Sequence, residues 1–279
     1  MNGRIKEKIT DIKWGEWSLI ALFLSVLSGV LVAFQYDPAT PLYSSSSLDL
    51  LVPYGDSFRA LHFYSSQLFF LFCLIHLWAI FDRTDTYTNW QWFRLTSTLP
   101  VALLLLFTGY VLRGDSTGSS AGLIAENIIT AIPGIGSILN DLLFSISDDN
   151  MKRVYVNHVV GLGVVWGFLA WEHLRRYRTS FRQHPLLTAA ILLCCLLPAA
   201  PFEPEQLGVF HIDGPWFFLG LQELLRFLPP LPAGVLFPGA LLLALFFLRK
   251  NNRYYSLLLT FILSWLVIYT SLTIVALCR

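Results

Sequence analysis

The stretch SFRALHFYSSQLFFLFCLIHLWAIF, residues 57–81, sets two histidines, His62 and His76, inside an apolar run long enough to cross a bilayer. A second stretch, VYVNHVVGLGVVWGFLAWEHL, residues 154–174, does the same with His158 and His173. An ionisable side chain at membrane depth is costly and by default marks a function. One such histidine alone reads as a hydrogen-bonded interior residue; four of the chain's six, paired on two helices, form a pattern. His62 and His76 are fourteen residues apart, which at helical pitch leaves them within about 40° of one face and about 21 Å apart along the axis. His158 and His173 are fifteen apart, within about 60° and about 22 Å.

If both helices run from outside to inside, His62 shares a depth with His158 and His76 with His173. Two sites of two imidazoles follow, one near each membrane surface. Zinc would require further N, S or O ligands, and few lie at these depths. Two imidazoles across an apolar gap suit the axial positions of a haem iron, whose porphyrin supplies four more nitrogens. With both axial positions filled, the chemistry expected is electron transfer. Facing helices in a four-helix arrangement are a normal place for such a pocket.

The rest of the chain agrees with a membrane setting. Of 279 residues, 55% are hydrophobic and 13% charged, and mean hydropathy is +0.60, above the range of soluble domains. Seven apolar runs are long enough to be read as spans, near 17–35, 57–81, 95–112, 154–174, 185–201, 233–248 and 254–277. The expected fold class is all-α, with seven transmembrane helices. Thirteen of the nineteen Lys and Arg fall on the side of the N-terminus, from Arg4, Lys6, Lys8 and Lys13 through Arg249, Lys250 and Arg253. This asymmetry predicts a cytoplasmic N-terminus in an inner membrane of bacterial type. The first run is too long for a signal peptide and reads as a retained helix. A net charge of +1 gives no reason to invoke nucleic acid. The four cysteines form no C-x-x-C or C-x-x-C-H, which excludes thiol redox motifs and the usual covalent haem attachment.

Two outer stretches are long enough to carry function. Residues 113–153 read as two short interfacial helices separated by a turn at Pro133, Gly134 and Gly136. Residues 202–232 are proline-rich and hold Pro215-Trp216-Phe217-Phe218. The Ser44–Ser47 run is expected to be a surface loop.

The H-x13-H and H-x14-H pairs, Gly109-Tyr110-Val111-Leu112, and Thr130-Ala131-Ile132-Pro133-Gly134-Ile135-Gly136 together resemble the cytochrome b family of quinol-oxidising complexes. The H-x14-H spacing is closer to the cytochrome b6 branch. The resemblance covers residues 10–183, and the last three spans resemble the three-helix partner of cytochrome b6, here fused. It implies a four-helix dihaem bundle at 1–183 and a three-helix part at 184–279 with an outer quinol-site loop at 202–232. It also implies two haem b, with His62 and His158 on the outer iron and His76 and His173 on the cytoplasmic-side iron. Gly15, Gly29 and Gly109 match glycines that admit a porphyrin edge, although any one taken alone also reads as small-residue helix packing. The fourth expected glycine is Leu95. Arg59 and Arg153 fall where the family sets arginines near the outer haem, Arg59 being suited to a propionate; each reads equally as an interfacial anchor. No cysteine stands near the start of the first helix for the third haem of cytochrome b6 proteins.

The family's outer quinol pocket uses the loop after the third helix, here with Pro133, and a P-E-W-Y motif, here with Trp216 and Phe217. Pro215 stands at the glutamate position, so the proton acceptor that quinol oxidation needs must lie elsewhere. Glu223 is the first choice, with Glu126 and Asp213 as alternatives. Arg113 and Gly114 also depart from the family pattern and imply a reshaped pocket. His184 and His211 read as interfacial or loop histidines, with quinone or proton contact as the second reading. The resemblance implies a homodimer within a larger assembly that contains a Rieske iron-sulfur protein or a c-type cytochrome, surrounded by membrane lipid. Two other functions stay open: a quinone-linked haem b anchor that exchanges electrons with a multihaem cytochrome or iron-sulfur partner without bifurcation, and a transporter whose histidines relay protons.

Overall fold

The computed structural model describes residues 12–203 and 212–279, so Arg4, Lys6, Lys8 and His211 lie outside the described residues. Among the described residues every regular element is helical. In chain order these are α1 Trp14–Gln35, α2 Pro41–Leu51, α3 Gly55–Ile80, α4 Asn89–Val111, α5 Ser116–Thr130, α6 Gly136–Leu143, α7 Ile146–Asp149, α8 Lys152–Leu174, α9 Pro185–Leu196, α10 Leu219–Leu224, α11 Leu231–Phe247 and α12 Tyr255–Leu277.

Among the described residues five helices, α1, α3, α4, α8 and α12, are long and apolar enough to cross a membrane. The two remaining expected spans are shorter. α9 has 12 residues, about 18 Å of rise against a hydrocarbon layer of about 30 Å. Its apolar run continues to residue 201, but Pro198 has no N–H with which to continue the helix, and the helix stops at Leu196 although Leu197 keeps helical dihedrals. The carbonyls so released are used: Tyr64 donates to Ala199 at 2.9 Å, and Arg59 donates to Ala200 and Pro201 at 3.1 Å each.

The chain forms two compact units that interleave in sequence. The first comprises residues to Asp37, Tyr43–Leu106 and Val164–Pro201. Within it α1 packs along α3 through small residues. Ser18, Ala21, Ser25 and Ser28 are buried at a spacing of three and four on α1, with Ala60 and Ser65 buried on α3. Small side chains let two backbones approach closely where lipid offers no hydrophobic drive, and the hydroxyls of Ser28 and Ser65 are satisfied by the carbonyls of Leu24 and Leu61.

The second unit comprises Pro38–Leu42, Phe107–Gly163 and Phe202–Arg279. The expected pair of short helices is present as α5 and α6, turning at Gly134 with φ +78°. Glu126 fastens that turn: it accepts from Asn140 Nδ2 at 2.9 Å and Ser147 Oγ at 2.7 Å, with the Ser147 N–H at 3.3 Å. Burial alone would raise its pKa, yet the bonds from Asn140, Ser147 and Ile146 outweigh that cost and hold it below 4.5. A carboxyl with a depressed folded pKa stabilises the fold above its unfolded value, and that contribution is lost as pH falls through the folded one. Hydrogen exchange at 131–150, corrected for intrinsic rates, is therefore expected to accelerate as pH falls below the ordinary carboxylate range. Glu126→Gln should exchange fast across that range; parallel profiles for both proteins would refute the anchor.

The Ser44–Ser47 run is helical, contrary to the expected loop. It lies in α2, where Ser44 is buried and its hydroxyl bonds both the N–H and the carbonyl of Asp37. Serine favours turns because its hydroxyl competes for local backbone; here that bonding potential is spent on the chain entering α2.

Candidate functional site

Three of the four intramembrane histidines lie against a glycine. A Cβ added at Gly15 would come 3.0 Å from His76 Cε1, one at Gly29 2.7 Å from His62 Cε1, and one at Gly109 2.9 Å from His158 Cε1. At each of these glycines the imidazole takes the space a methyl group would need. Two of the rings have Nδ1 engaged. That of His62 lies 2.8 Å from the Ser25 carbonyl, and that of His158 shares a 3.0 Å bond with Thr108 Oγ1. The Ser25 carbonyl can only accept, so Nδ1 of His62 carries the proton and Nε2 is that ring's acceptor atom, whereas Thr108 can donate or accept and so orients His158 without fixing its tautomer.

In the first unit His76 and His173 stand with ring centroids 6.1 Å apart and planes at 54°. Ring bonds near 1.33 Å give a ring radius of about 1.1 Å, and a metal–imidazole bond is about 2.0 Å. Two imidazoles trans across one metal ion therefore have centroids about 6 Å apart. The residues present fit a bis-imidazole iron. Phe69 and Trp166, each seven residues before one of these histidines, pair at 5.4 Å, so α3 and α8 meet through rings there. Leu95, in the place of the expected fourth glycine, lines a cavity of about 20 Å³ with His173, Arg94 and Arg176.

The two arginines expected beside the outer haem are held by acids. Arg59 donates Nε to Asp49 Oδ1 at 2.6 Å and Nη2 to Oδ2, besides its two carbonyl partners. Arg153 donates to Asp149 at 2.7 Å. His184 Nε2 lies 2.5 Å from Glu16 Oε2, which ties the start of α9 to the start of α1.

In the second unit a cavity of about 320 Å³ is lined by Thr117, Ser120, Ala121 and Ile124 of α5 and by Ile212, Gly214, Phe218, Gln222 and Arg226. Pro133, Trp216 and Phe217, expected in a pocket here, are not among its lining residues; Trp216 is exposed. Phe217 instead offers its carbonyl to Tyr269 at 2.6 Å. Bonds the sequence does not announce set the cavity wall. Gln222 accepts from the Gly214 N–H at 2.8 Å and donates to the Ile212 carbonyl at 2.6 Å, while Tyr110 donates to Asp213 at 3.0 Å. A lone glutamine within the apolar LGLQELL was the available signal. Arg113 and Gly114 acquire a structural meaning. Arg113 forms a buried ion pair with Asp115, which caps α5 through Gly118 N at 2.9 Å and accepts from Glu203 N at 2.9 Å. Gly114 has φ +67° and leaves no room for a Cβ beside Pro41. Glu223 is buried, with Oε1 3.2 Å from Arg279 Nη2 but without a hydrogen bond, and Oε2 3.9 Å from Arg226 Nε.

Fold and site together define an all-helical membrane protein whose ligand-type histidines are paired on two helices. A sequence model described as Cytochrome b/b6/petB matches residues 6–178, more than half of the chain. The chain belongs to that family and is an integral membrane protein. A solved structure titled "Hyperthermophilic respiratory Complex III" contains a chain similar in fold, with a TM-score of 0.68 at 17% identity, covering 94% of this chain and 86% of that one. The likeness in fold thus extends past residue 178 into the C-terminal helices.

Proposed function

We propose that the chain is the dihaem cytochrome b subunit of a membrane quinol-oxidising electron-transfer complex. His62 and His158 hold the outer haem iron and His76 and His173 the cytoplasmic-side one, in a 1–183 bundle followed by a quinol-site part at 184–279. The single observation that carries the proposal is the 6.1 Å separation of the His76 and His173 rings, at which both imidazoles could hold one iron. Haem held by these histidines would supply one-electron transfer. This chain's residues do the rest: Gly15, Gly29 and Gly109, with the Nδ1 bonds of His62 and His158, seat the imidazoles. A propionate contact by Arg59 would share its guanidinium with Asp49.

The 320 Å³ cavity beside α5 has the size of a ligand pocket and is our quinol site, built by Phe218 and Gln222 next to the proposed Trp216, Phe217 and Pro133 region. Glu126 is committed to the loop, so we assign proton acceptance to Glu223, which lies 3.9 Å from Arg226 of the cavity lining. Partner subunits of Rieske or c-type cytochrome kind, a homodimer, and a cytoplasmic N-terminus complete the reading, in keeping with the respiratory assembly named for the structural neighbour.

The test is a reduced-minus-oxidised visible spectrum of the purified full chain. The expected result is b-type bands at two haems per chain. A colourless protein after expression with ample haem would leave the proton-relay reading. Pro215 at the glutamate position favours a second version, an anchor that passes electrons without bifurcation. Glu223→Gln separates the two: loss of quinol oxidation by about 100-fold or more with unchanged spectra supports the first, and unaltered turnover supports the second.

A further inference from the structure

The helix that carries His158 and His173 is not α-helical throughout. Asn157–Gly161 forms a π turn, closed by the Leu162 N–H on the Asn157 carbonyl five residues back. Such a turn holds one residue more than an α turn and recurs at functional positions. The histidine arithmetic explains the need for one here. Fourteen α residues fall about 40° short of four turns and fifteen run about 60° past them. Unbroken helices would therefore aim the two histidine pairs about 100° apart, one full residue step.

The ring pairs lower down give the same result independently. Phe69 with Trp166 and His76 with His173 are each 97 residues apart in the chain, so α3 and α8 run parallel in one register there. Seven residues before Trp166, the spacing of His62 to Phe69 on α3, the chain has Val159. His158 is one residue short.

Resting on the haem reading above, we infer that the π turn is a register corrector, and that Asn157 and Gly161 are the positioning residues that bring His158 into the place position 159 would otherwise hold. Asn157 Nδ2 donates to the carbonyls of Leu142 and Leu143 at 2.8 and 3.2 Å, the otherwise unsatisfied end of α6. This pins the near side of the turn. A Cβ at Gly161 would lie 2.7 Å from Asn157 Oδ1, so the far side requires glycine. The extra residue is fixed in place by the fold, and the fifteen-residue histidine spacing is served as though it were fourteen.

The experiment compares four variants of the full chain: Val160 deleted, Gly161→Ala, both changes together, and one alanine inserted after Val160. Haem per chain is read from the visible spectrum beside the melting temperature. Deleting Val160 lets the turn close as α helix and should keep two haems. Gly161→Ala alone should halve the haem content, and deletion of Val160 in that background should restore it. The insertion, which would demand a second wide turn, should also halve it. A deletion that loses haem or fails to accumulate overturns the inference, as does an insertion tolerated equally well. A colourless parent would sink the haem reading instead. The turn would then be judged by melting temperature alone, with rescue of Gly161→Ala by the deletion supporting it and no rescue overturning it.

Discussion

Gly29→Val is expected to yield a chain with one haem in place of two, the same loss as His62→Ala. A valine Cβ at this position would lie 2.7 Å from both Cε1 and Nδ1 of His62, well inside contact distance, before its two methyl groups are counted. The ring cannot simply retreat, because its Nδ1 is fixed on the Ser25 carbonyl at 2.8 Å. Moving it breaks a bond at membrane depth, where an unpartnered polar group costs several kcal/mol. Helix packing alone would lower the yield but leave two haems in whatever chain survives. Gly163→Ala is the matched control: a Cβ there meets nothing within 4 Å, so that variant should keep both. Two haems per chain in purified Gly29→Val would remove the glycine and its imidazole from the account of the outer site.

Much of this was readable from the chain, and what was not has identifiable causes. Long apolar runs report helices well because a bilayer forces every backbone bond to close within the segment. The α1, α3, α4, α8 and α12 helices therefore fall where hydropathy sets them. The same measure overextended α9, because Leu197 to Pro201 is apolar in composition while Pro198 and Pro201 have no N–H with which to continue the helix. The histidine spacings placed two imidazoles on each of two helices, while the π turn at Asn157–Gly161 left no mark in them. The outer cavity was the least legible part. Its walls are set by Gln222, Tyr110 and Arg113, whose partners lie up to 103 residues away, and a motif that begins with Pro215 in place of a carboxylate could not show that Phe218 and Gln222 would line the space.

The Arg113–Asp115 pair is where a single change should do most damage in the second unit. Asp115 Oδ2 accepts from Arg113 and from the Glu203 N–H, and Oδ1 from the Gly118 N–H and Thr117. One buried carboxylate thus holds the start of α5, which forms one wall of the cavity, to the segment entering 202–232. Asp115→Ala leaves the Arg113 guanidinium, 7% exposed, without its charge partner. Breaking a buried pair in this way costs about 3–5 kcal/mol, enough to loosen α5 and, with it, any ligand in the 320 Å³ space. The expected result is a fall in melting temperature and the loss of quinol-analogue binding, while the histidine pair in the first unit retains its haem. Replacing both partners with leucine distinguishes charge from shape. A buried pair exchanged for apolar side chains is often neutral for stability, so Arg113→Leu with Asp115→Leu should recover most of the melting temperature. The cap on Gly118 and the tether to Glu203 have no substitute in leucine, so ligand affinity should stay low. If the double variant regains binding as well as stability, the carboxylate serves only to neutralise Arg113, and the cavity wall is held by packing.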